Sequence, residues 1–157
     1  MAIDYIKDFD NIKGQKNNSI AFMGQVGAGK THLSLAIGNN LMKKNIGVRY
    51  MQYREAITGL KQNMIDEDYY QKEMNKYKGA SVLLIDDLFK GKINDTDLNI
   101  MFEIINFRYL AGLPIIISTE FSTDKLMDFD AAVGSRIIEM CKGRLVEFID
   151  TENYRLR

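Results

Sequence analysis

A glycine-rich segment at residues 24–31 constrains this chain more than any other feature. It has the sequence Gly-Gln-Val-Gly-Ala-Gly-Lys-Thr and matches the pattern G-x-x-x-x-G-K-[ST] at every fixed position. In such a loop, successive backbone N–H groups face phosphate oxygens, and the N-terminus of the following helix adds partial positive charge. An apolar run at 19–23 precedes the segment, and a helical apolar repeat over 32–44 follows it. This strand–loop–helix context predicts a site for a nucleotide phosphate.

The predicted loop also supplies two side chains with separate roles. Lys30 is placed to reach the β- and γ-phosphates as a point charge, and the Thr31 hydroxyl is placed to bind Mg²⁺. Mg²⁺ prefers a few oxygen ligands that are shared between protein and phosphate. We therefore expect ATP and Mg²⁺ as ligands. The residues expected to contact the nucleotide here are Gly24, Gln25, Val26, Gly27, Ala28, Gly29, Lys30, Thr31 and His32.

Composition limits the class of protein. The chain has 157 residues, 46% of them hydrophobic, which suits a single domain over 1–157. Basic and acidic residues number 21 each, so any contact with DNA requires a local patch. Cys141 is the only cysteine and His32 the only histidine, which excludes an internal disulfide and a Cys/His metal site. No stretch approaches the roughly 20 apolar residues of a membrane span, and no signal-peptide pattern is present, so we expect a cytoplasmic protein without membrane contact.

Short apolar runs alternate with helical patterns along the chain. The runs lie at 20–23, 48–51, 82–85, 115–118 and 145–149. Runs this apolar suit strands that are buried on both faces of a mainly parallel sheet with helices on each side. Residues 54–78, between the second and third runs, are longer than a simple crossover requires and carry two helical patterns. The sequence therefore predicts an α/β three-layer fold with an insertion at this point.

The third apolar run ends in two carboxylates, Asp86 and Asp87, as in a Walker B element. In that arrangement Asp86 contacts Mg²⁺ directly or through water, and Asp87 lies where it can polarise a water for attack on the γ-phosphate. The alternative is a surface strand end whose aspartates cap the next segment. Because many such ATPases use the longer glutamate at the second position, aspartate here favours slow turnover.

Two further polar positions have open interpretations. Thr119 and Glu120, at the end of the fourth strand, lie where P-loop ATPases place a sensor of the γ-phosphate, or they cap the helix that begins near 122–124. Arg136 can stabilise phosphoryl-transfer charge in a neighbouring subunit, or it is a surface arginine that pairs with Glu139.

Three segments together resemble the AAA+ ATPases of the bacterial and phage replicative-helicase loader family, the DnaC/DnaI type, with the transposon-associated IstB ATPases as close relatives. They are Gly-Lys-Thr-His-Leu-Ser at 29–34, Leu-Leu-Ile-Asp-Asp-Leu at 83–88 and Gly-Ser-Arg-Ile-Ile-Glu-Met-Cys-Lys-Gly at 134–143. The resemblance spans 9–155 and implies a P-loop NTPase fold with a five-stranded parallel sheet in the order 5-1-4-3-2. It also implies ATP bound between protomers, self-association, and Arg136 as an arginine finger donated in trans.

The resemblance further implies a replicative DNA helicase as partner and an insertion at 54–78 that lies near single-stranded DNA. Acidic residues offset the lysines of 66–78, so we expect DNA binding that is weak and dependent on assembly. On this resemblance we expect a domain without the usual helical lid after the fifth strand and without the N-terminal helicase-binding module of full-length loaders. Arg155 is either a second sensor or part of a charged tail, and 9–12 either lines the adenine pocket or is a disordered leader.

Other functions remain open at this point. A GTPase is disfavoured because the nearest approach to the guanine-reading Asn-Lys-x-Asp, at 75–78, ends in lysine. A small-molecule kinase needs an arginine-rich lid, and only Lys90 and Lys92 follow the third strand. A transposition ATPase of the IstB type shares the whole ATP site with the loaders. An ATP-binding switch with negligible turnover is the remaining alternative, favoured by Asp87 in place of glutamate.

Overall fold

A parallel sheet of five strands forms the centre of the computed structural model, which describes residues 1–149 and 153–156. The strands are β1 (Ile20–Gly24), β2 (Val48–Gln52), β3 (Val82–Asp86), β4 (Ile115–Thr119) and β5 (Leu145–Phe148). Their order is β2-β3-β4-β1-β5, and every neighbouring pair is parallel. This is the predicted order 5-1-4-3-2 counted from the other edge, so the predicted fold class is confirmed.

Helices cover both faces of the sheet. They are α1 (Ala2–Ile12), α2 (Lys30–Lys43), α3 (Tyr53–Gln62), α4 (Glu67–Gly79), α5 (Asp95–Ala111), α6 (Thr123–Phe129) and α7 (Ala131–Met140), with a short 3-10 helix at Tyr154–Leu156. Helices α3 and α4 form the predicted insertion. Among the described residues, none of the helices is both long enough and apolar enough to cross a membrane.

The three central strands, β1, β3 and β4, bury successive side chains on opposite faces, which explains their continuous apolar sequences. On one face, Phe22 of β1 and Leu84 of β3 pack in a cluster with side chains of α1 and α2. On the other face, Met23 and Ile85 pack in a larger cluster with side chains of α3, α5 and α7. The phosphate loop and the acids after β3 are therefore carried by strands that are fixed from both sides.

Helix α1 corrects the interpretation of 9–12. Tyr5 and Phe9 are 1% and 2% exposed and pack in the core with α2, so this segment is not a disordered leader. Phe9 borders a cavity together with Ser81 and Pro114, which precede β3 and β4. That cavity lies at the amino-terminal ends of the strands, whereas the phosphate loop follows the carboxyl end of β1, so the placement of 9–12 at an adenine pocket stays a prediction.

A buried arginine joins α5 to the starts of two strands. Arg108 is 0% exposed, and burial lowers the pKa of its guanidinium to about 10. Its guanidinium donates hydrogen bonds to the backbone carbonyls of Tyr77, Lys78, Ala80, Ser81 and Pro114. Five carbonyl dipoles thus compensate the charge and connect the end of α4 with the segments that lead into β3 and β4.

We expect Arg108→Met to lower the free energy of unfolding by about 3–5 kcal/mol, because methionine fills the stem but leaves buried carbonyls without donors. Urea denaturation followed by circular dichroism measures the effect. The exposed Arg49 provides the matched control, and Arg49→Met is expected to stay within about 0.5 kcal/mol of the parent chain. Equal midpoints for the two variants would contradict this account of Arg108.

Candidate nucleotide-binding site

The phosphate loop joins the carboxyl end of β1 to α2, and the backbone geometry requires glycine at two of its positions. Gly24 has φ 136°, and a Cβ there would lie 2.6 Å from the carbonyl oxygen of Phe148 in β5. Gly29 precedes α2 in the left-handed conformation, with φ 88°. A side chain is strongly disfavoured at both positions. The loop therefore turns tightly and directs the N-terminus of α2 toward the space above β1.

A cavity of about 360 Å³ opens over the loop. Its walls are formed by Val26, Gly27, Gly29, Lys30, Thr31, His32, Leu35, Asp87, Lys90, Glu120 and Arg155. The structure thus brings six of the predicted loop residues to one cavity with Asp87. The other predicted loop residues, Gly24, Gln25 and Ala28, form the turn beneath it without lining it.

Lys30 is 6% exposed and lies within the loop. Its Nζ donates a hydrogen bond of 2.6 Å to the carbonyl oxygen of Gln25. Burial lowers the pKa of the ammonium, while the nearby carboxylates of Glu120 and Asp87 act in the opposite direction. The charge is therefore poorly hydrated, which favours its interaction with a phosphate.

Asp86 accepts hydrogen bonds from three hydroxyl groups. Thr31 Oγ1 lies 2.7 Å and Ser118 Oγ 2.5 Å from its Oδ1, and the Tyr50 hydroxyl lies 3.0 Å from its Oδ2. The structure thus joins the two side chains that the sequence predicted as Mg²⁺ ligands, Thr31 and Asp86. Ser118 and Tyr50 were not predicted, and they fix the orientation of the carboxylate.

The donor set fits Mg²⁺ bound together with a nucleotide. Thr31 and Asp86 offer a hydroxyl and a carboxylate oxygen, which are hard ligands of the type that this cation prefers. Within residues 1–149 and 153–156, no group of three or more His, Cys, Asp or Glu side chains is arranged to hold a metal. The protein side of the site therefore suits an ion that takes its remaining ligands from phosphate and water.

Asp87 faces the same cavity from the end of β3. Its backbone is left-handed, with φ 55°, and its N–H donates to Ser118 Oγ over 3.0 Å. Burial raises the pKa of the Asp87 carboxyl, and the charge of Asp86 adds to the increase. A carboxylate with a raised pKa is a stronger base, which suits the removal of a proton from a water molecule.

The end of β4 corrects the interpretation of Thr119. Thr119 is 0% exposed, and its hydroxyl donates to the carbonyl of Leu88 and accepts from the N–H of Phe121. It does not line the cavity, and Glu120 does. The helix cap is Ser122, whose side chain accepts from the backbone of α6, so neither sensor candidate is the cap.

Arg136 projects from α7 and does not line this protomer's cavity. Its Nε donates to Asn106 Oδ1 over 3.0 Å, and its Cζ lies 5.1 Å from the ring centre of Phe102. The alternative pairing with Glu139 is absent from the described residues, since Glu139 accepts instead from the Tyr109 hydroxyl. The Arg136 side chain therefore packs against α5, outside the phosphate site of its own chain.

The segment 153–156 lies against the phosphate loop. A Cβ on Gly27 would be 1.9 Å from Asn153 Oδ1, so the two residues are in close contact. Asn153 Oδ1 also accepts from the N–H of Arg155, and Arg155 lines the cavity. Of the two interpretations of Arg155, the position near phosphate is the one that the structure favours.

A parallel sheet in this order, with a phosphate loop after β1 and paired acids at the end of β3, defines an AAA+ ATP-binding domain of the P-loop class. Residues 3–157 match the family described as "IstB-like ATP binding protein". The chain belongs to this family.

Two relatives come from Bacillus subtilis (strain 168). The chain is 42% identical over 151 residues to "Uncharacterized protein YqaM", a match that covers 92% of this chain and 47% of the relative. It is also 42% identical over 149 residues to "Phage-like element PBSX protein XkdC", covering 91% of this chain and 55% of that protein. The chain thus spans about half the length of these curated relatives.

Solved structures extend the comparison. A structure described as the DnaC helicase loader superposes with a TM-score of 0.77 at 26% identity, over 94% of this chain and 87% of that one. The replication initiator DnaA bound to AMPPCP and single-stranded DNA superposes with a TM-score of 0.74 at 27% identity, over 98% of this chain and 47% of that one. The predicted resemblance to helicase loaders is confirmed.

Proposed function

We propose that this domain hydrolyses ATP slowly, within an assembly of subunits, and that it serves to load a replicative DNA helicase in a phage or mobile-element system. The observation that carries the proposal is the division of the catalytic groups. Lys30, Thr31 and Asp87 line one cavity, whereas Arg136 lies outside it on α7. A site divided in this way is completed by a neighbouring subunit.

The residues of the site have separate roles in this reaction. Lys30 leaves the Gln25 carbonyl and holds the β- and γ-phosphates, while the N–H groups of the loop bind the remaining oxygens. Mg²⁺, when bound beside Thr31 and Asp86, neutralises charge on the phosphates. Asp87 orients a water molecule and accepts its proton, and Arg136 of the neighbour stabilises the charge that develops on the transferred phosphoryl group.

The finer features of the proposal have separate physical support. Aspartate at position 87 reaches less far than glutamate, which favours slow turnover. Turnover depends on assembly because Arg136 must come from another protomer. The two-sided ATP site also fits the self-association that the resemblance implies.

DNA contact is proposed to be weak and to require the assembly. The lysines of the insertion are largely paired with acids of the same chain. The pairs are Lys61 with Asp97 at 2.8 Å, Lys76 with Glu73 at 2.7 Å and Lys78 with Glu103 at 2.5 Å. Since affinity for a phosphate backbone grows with the number of available cations, few contacts remain for a single protomer.

Single-turnover hydrolysis of labelled ATP tests the proposed partner. We expect the rate to rise when the replicative helicase is added, to rise further with helicase and single-stranded DNA, and to stay unchanged with DNA alone. If only a transposase raises the rate, the function is the transposition-associated alternative. If ATP binds tightly but no partner produces turnover, the domain is an ATP-dependent switch.

A further inference from the structure

The segment after β3 has an unusual backbone. Asp87, Phe89 and Gly91 have φ values of 55°, 62° and 91°. Left-handed non-glycine residues persist where surrounding contacts determine them, and they concentrate at functional sites. Here the determining contacts are those of Phe89, which is 1% exposed. The centre of its ring lies 5.7 Å from that of Tyr53 and 5.1 Å from that of Phe129. The anchored ring fixes the short segment from Asp87 to Lys90.

Lys90 lies in the cavity between two carboxylates. Its Nζ is 3.8 Å from Asp87 Oδ2 and 3.6 Å from Glu120 Oε1. Both distances exceed a normal hydrogen bond, so charge alone holds the ammonium there. The Lys90 side chain is 46% exposed, which leaves it free to move. Lys90 thus balances two acids that line a phosphate site.

Nucleotide binding changes this balance. A triphosphate brings several negative charges beside Asp87 and Glu120, and Lys30 is already committed to the β- and γ-phosphates. Lys90 lies beside Asp87 in the cavity, which Arg155 also lines, and it needs no change in the anchored backbone to turn from the carboxylates to a phosphate oxygen. Its departure also releases Asp87 to act on water.

We propose that Lys90 contacts the terminal phosphate of bound ATP and thereby makes the site prefer ATP over ADP. The inference rests on the proposed function, since it assigns a discriminating contact to the same site. ADP lacks the group that Lys90 would reach, so the contact is lost when the γ-phosphate leaves. The domain would then couple its assembly to the ATP state through a residue of its own chain.

Isothermal titration with ATP and with ADP, each with Mg²⁺, tests the inference. Lys90→Met keeps the aliphatic stem and removes the charge, and we expect it to weaken ATP binding about tenfold or more, the scale of one charge-assisted hydrogen bond. ADP binding should change less than about twofold, since no bond to ADP is lost. Lys90→Arg should retain most of the ATP preference. Lys92→Met, at an exposed residue outside the cavity, is the matched control and should behave as the parent chain.

Repeating the titration in a Glu120→Gln chain separates a direct contact of Lys90 with phosphate from simple neutralisation of Glu120. If Lys90 acts on phosphate, Lys90→Met weakens ATP binding in a Glu120→Gln chain as well. If the loss disappears there, Lys90 only neutralises Glu120 and the inference is overturned. Equal weakening of ATP and ADP, or no change in either, also overturns it. Lys90→Gln replaces Lys90→Met if the latter does not fold, and failure of the parent chain to bind ATP would instead reject the proposed function.

Discussion

Lys30→Ala is expected to reduce ATP affinity about 100-fold or more, because it removes charge-assisted bonds to two phosphates at once. Titration calorimetry with ATP and Mg²⁺ measures the loss directly. Lys43→Ala is the matched control, since Lys43 is an exposed lysine at the other end of the same helix, α2. We expect this control to bind ATP as the parent chain does.

The stability of the Lys30→Ala variant distinguishes a binding role from a structural one. Burial lowers the pKa of Lys30, so the folded state disfavours its charge, and removing the charge offsets the loss of its hydrogen bond to the Gln25 carbonyl. The midpoint of thermal unfolding without nucleotide should therefore change little. An intact fold with unchanged ATP affinity would contradict the assignment of the loop.

Arg136→Ala is expected to lower kcat about 1,000-fold in the assembled state, as removal of an arginine finger does. ATP affinity of the isolated protomer should be unchanged, because Arg136 does not line its own cavity. Steady-state hydrolysis across protein concentrations measures the first effect, and calorimetry the second. Lys142→Ala, at an exposed residue just beyond α7, is the control and should hydrolyse ATP normally.

Arg136 also has local contacts that the substitution removes. Its Nε donates to Asn106, and its guanidinium stacks on Phe102. Arg136→Gln keeps a donor for Asn106 and tests whether lost activity reflects the guanidinium itself. An unfolding midpoint near that of the parent chain, together with lost hydrolysis, supports the finger. Unchanged hydrolysis at all protein concentrations would contradict it.

The strands and the phosphate loop could be predicted because their signals are local. Every strand lies within a residue or two of its predicted run. The signal is clearest in β1, β3 and β4, since strands buried on both faces leave a continuous apolar sequence. The loop needs only consecutive residues, and the structure brings Lys30 and Thr31 of the loop to one cavity with Asp87. Strand order and the trans role of Arg136 came from the resemblance, because neither has a local signal.

The missed residues depend on register and tertiary packing. Side chains alternate along β4, so a difference of one residue decides whether Ser118, Thr119 or Glu120 faces the site. Ser118 could have been found from the pairing of β3 with β4, which sets Ile85 opposite Ile117 and hence Asp86 near Ser118. Tyr50 and Lys90 reach the site from positions that no motif marks.

We propose that the ATP site is completed by Arg136 of a neighbouring protomer. The sharpest test mixes Lys30→Ala chains, which bind ATP poorly, with Arg136→Ala chains, which cannot supply the finger. We predict that hydrolysis appears in the mixture although each variant alone is inactive, because a Lys30 site then meets an intact Arg136. A mixture that stays inactive at every ratio and concentration, under conditions where the parent chain hydrolyses ATP, would contradict the claim.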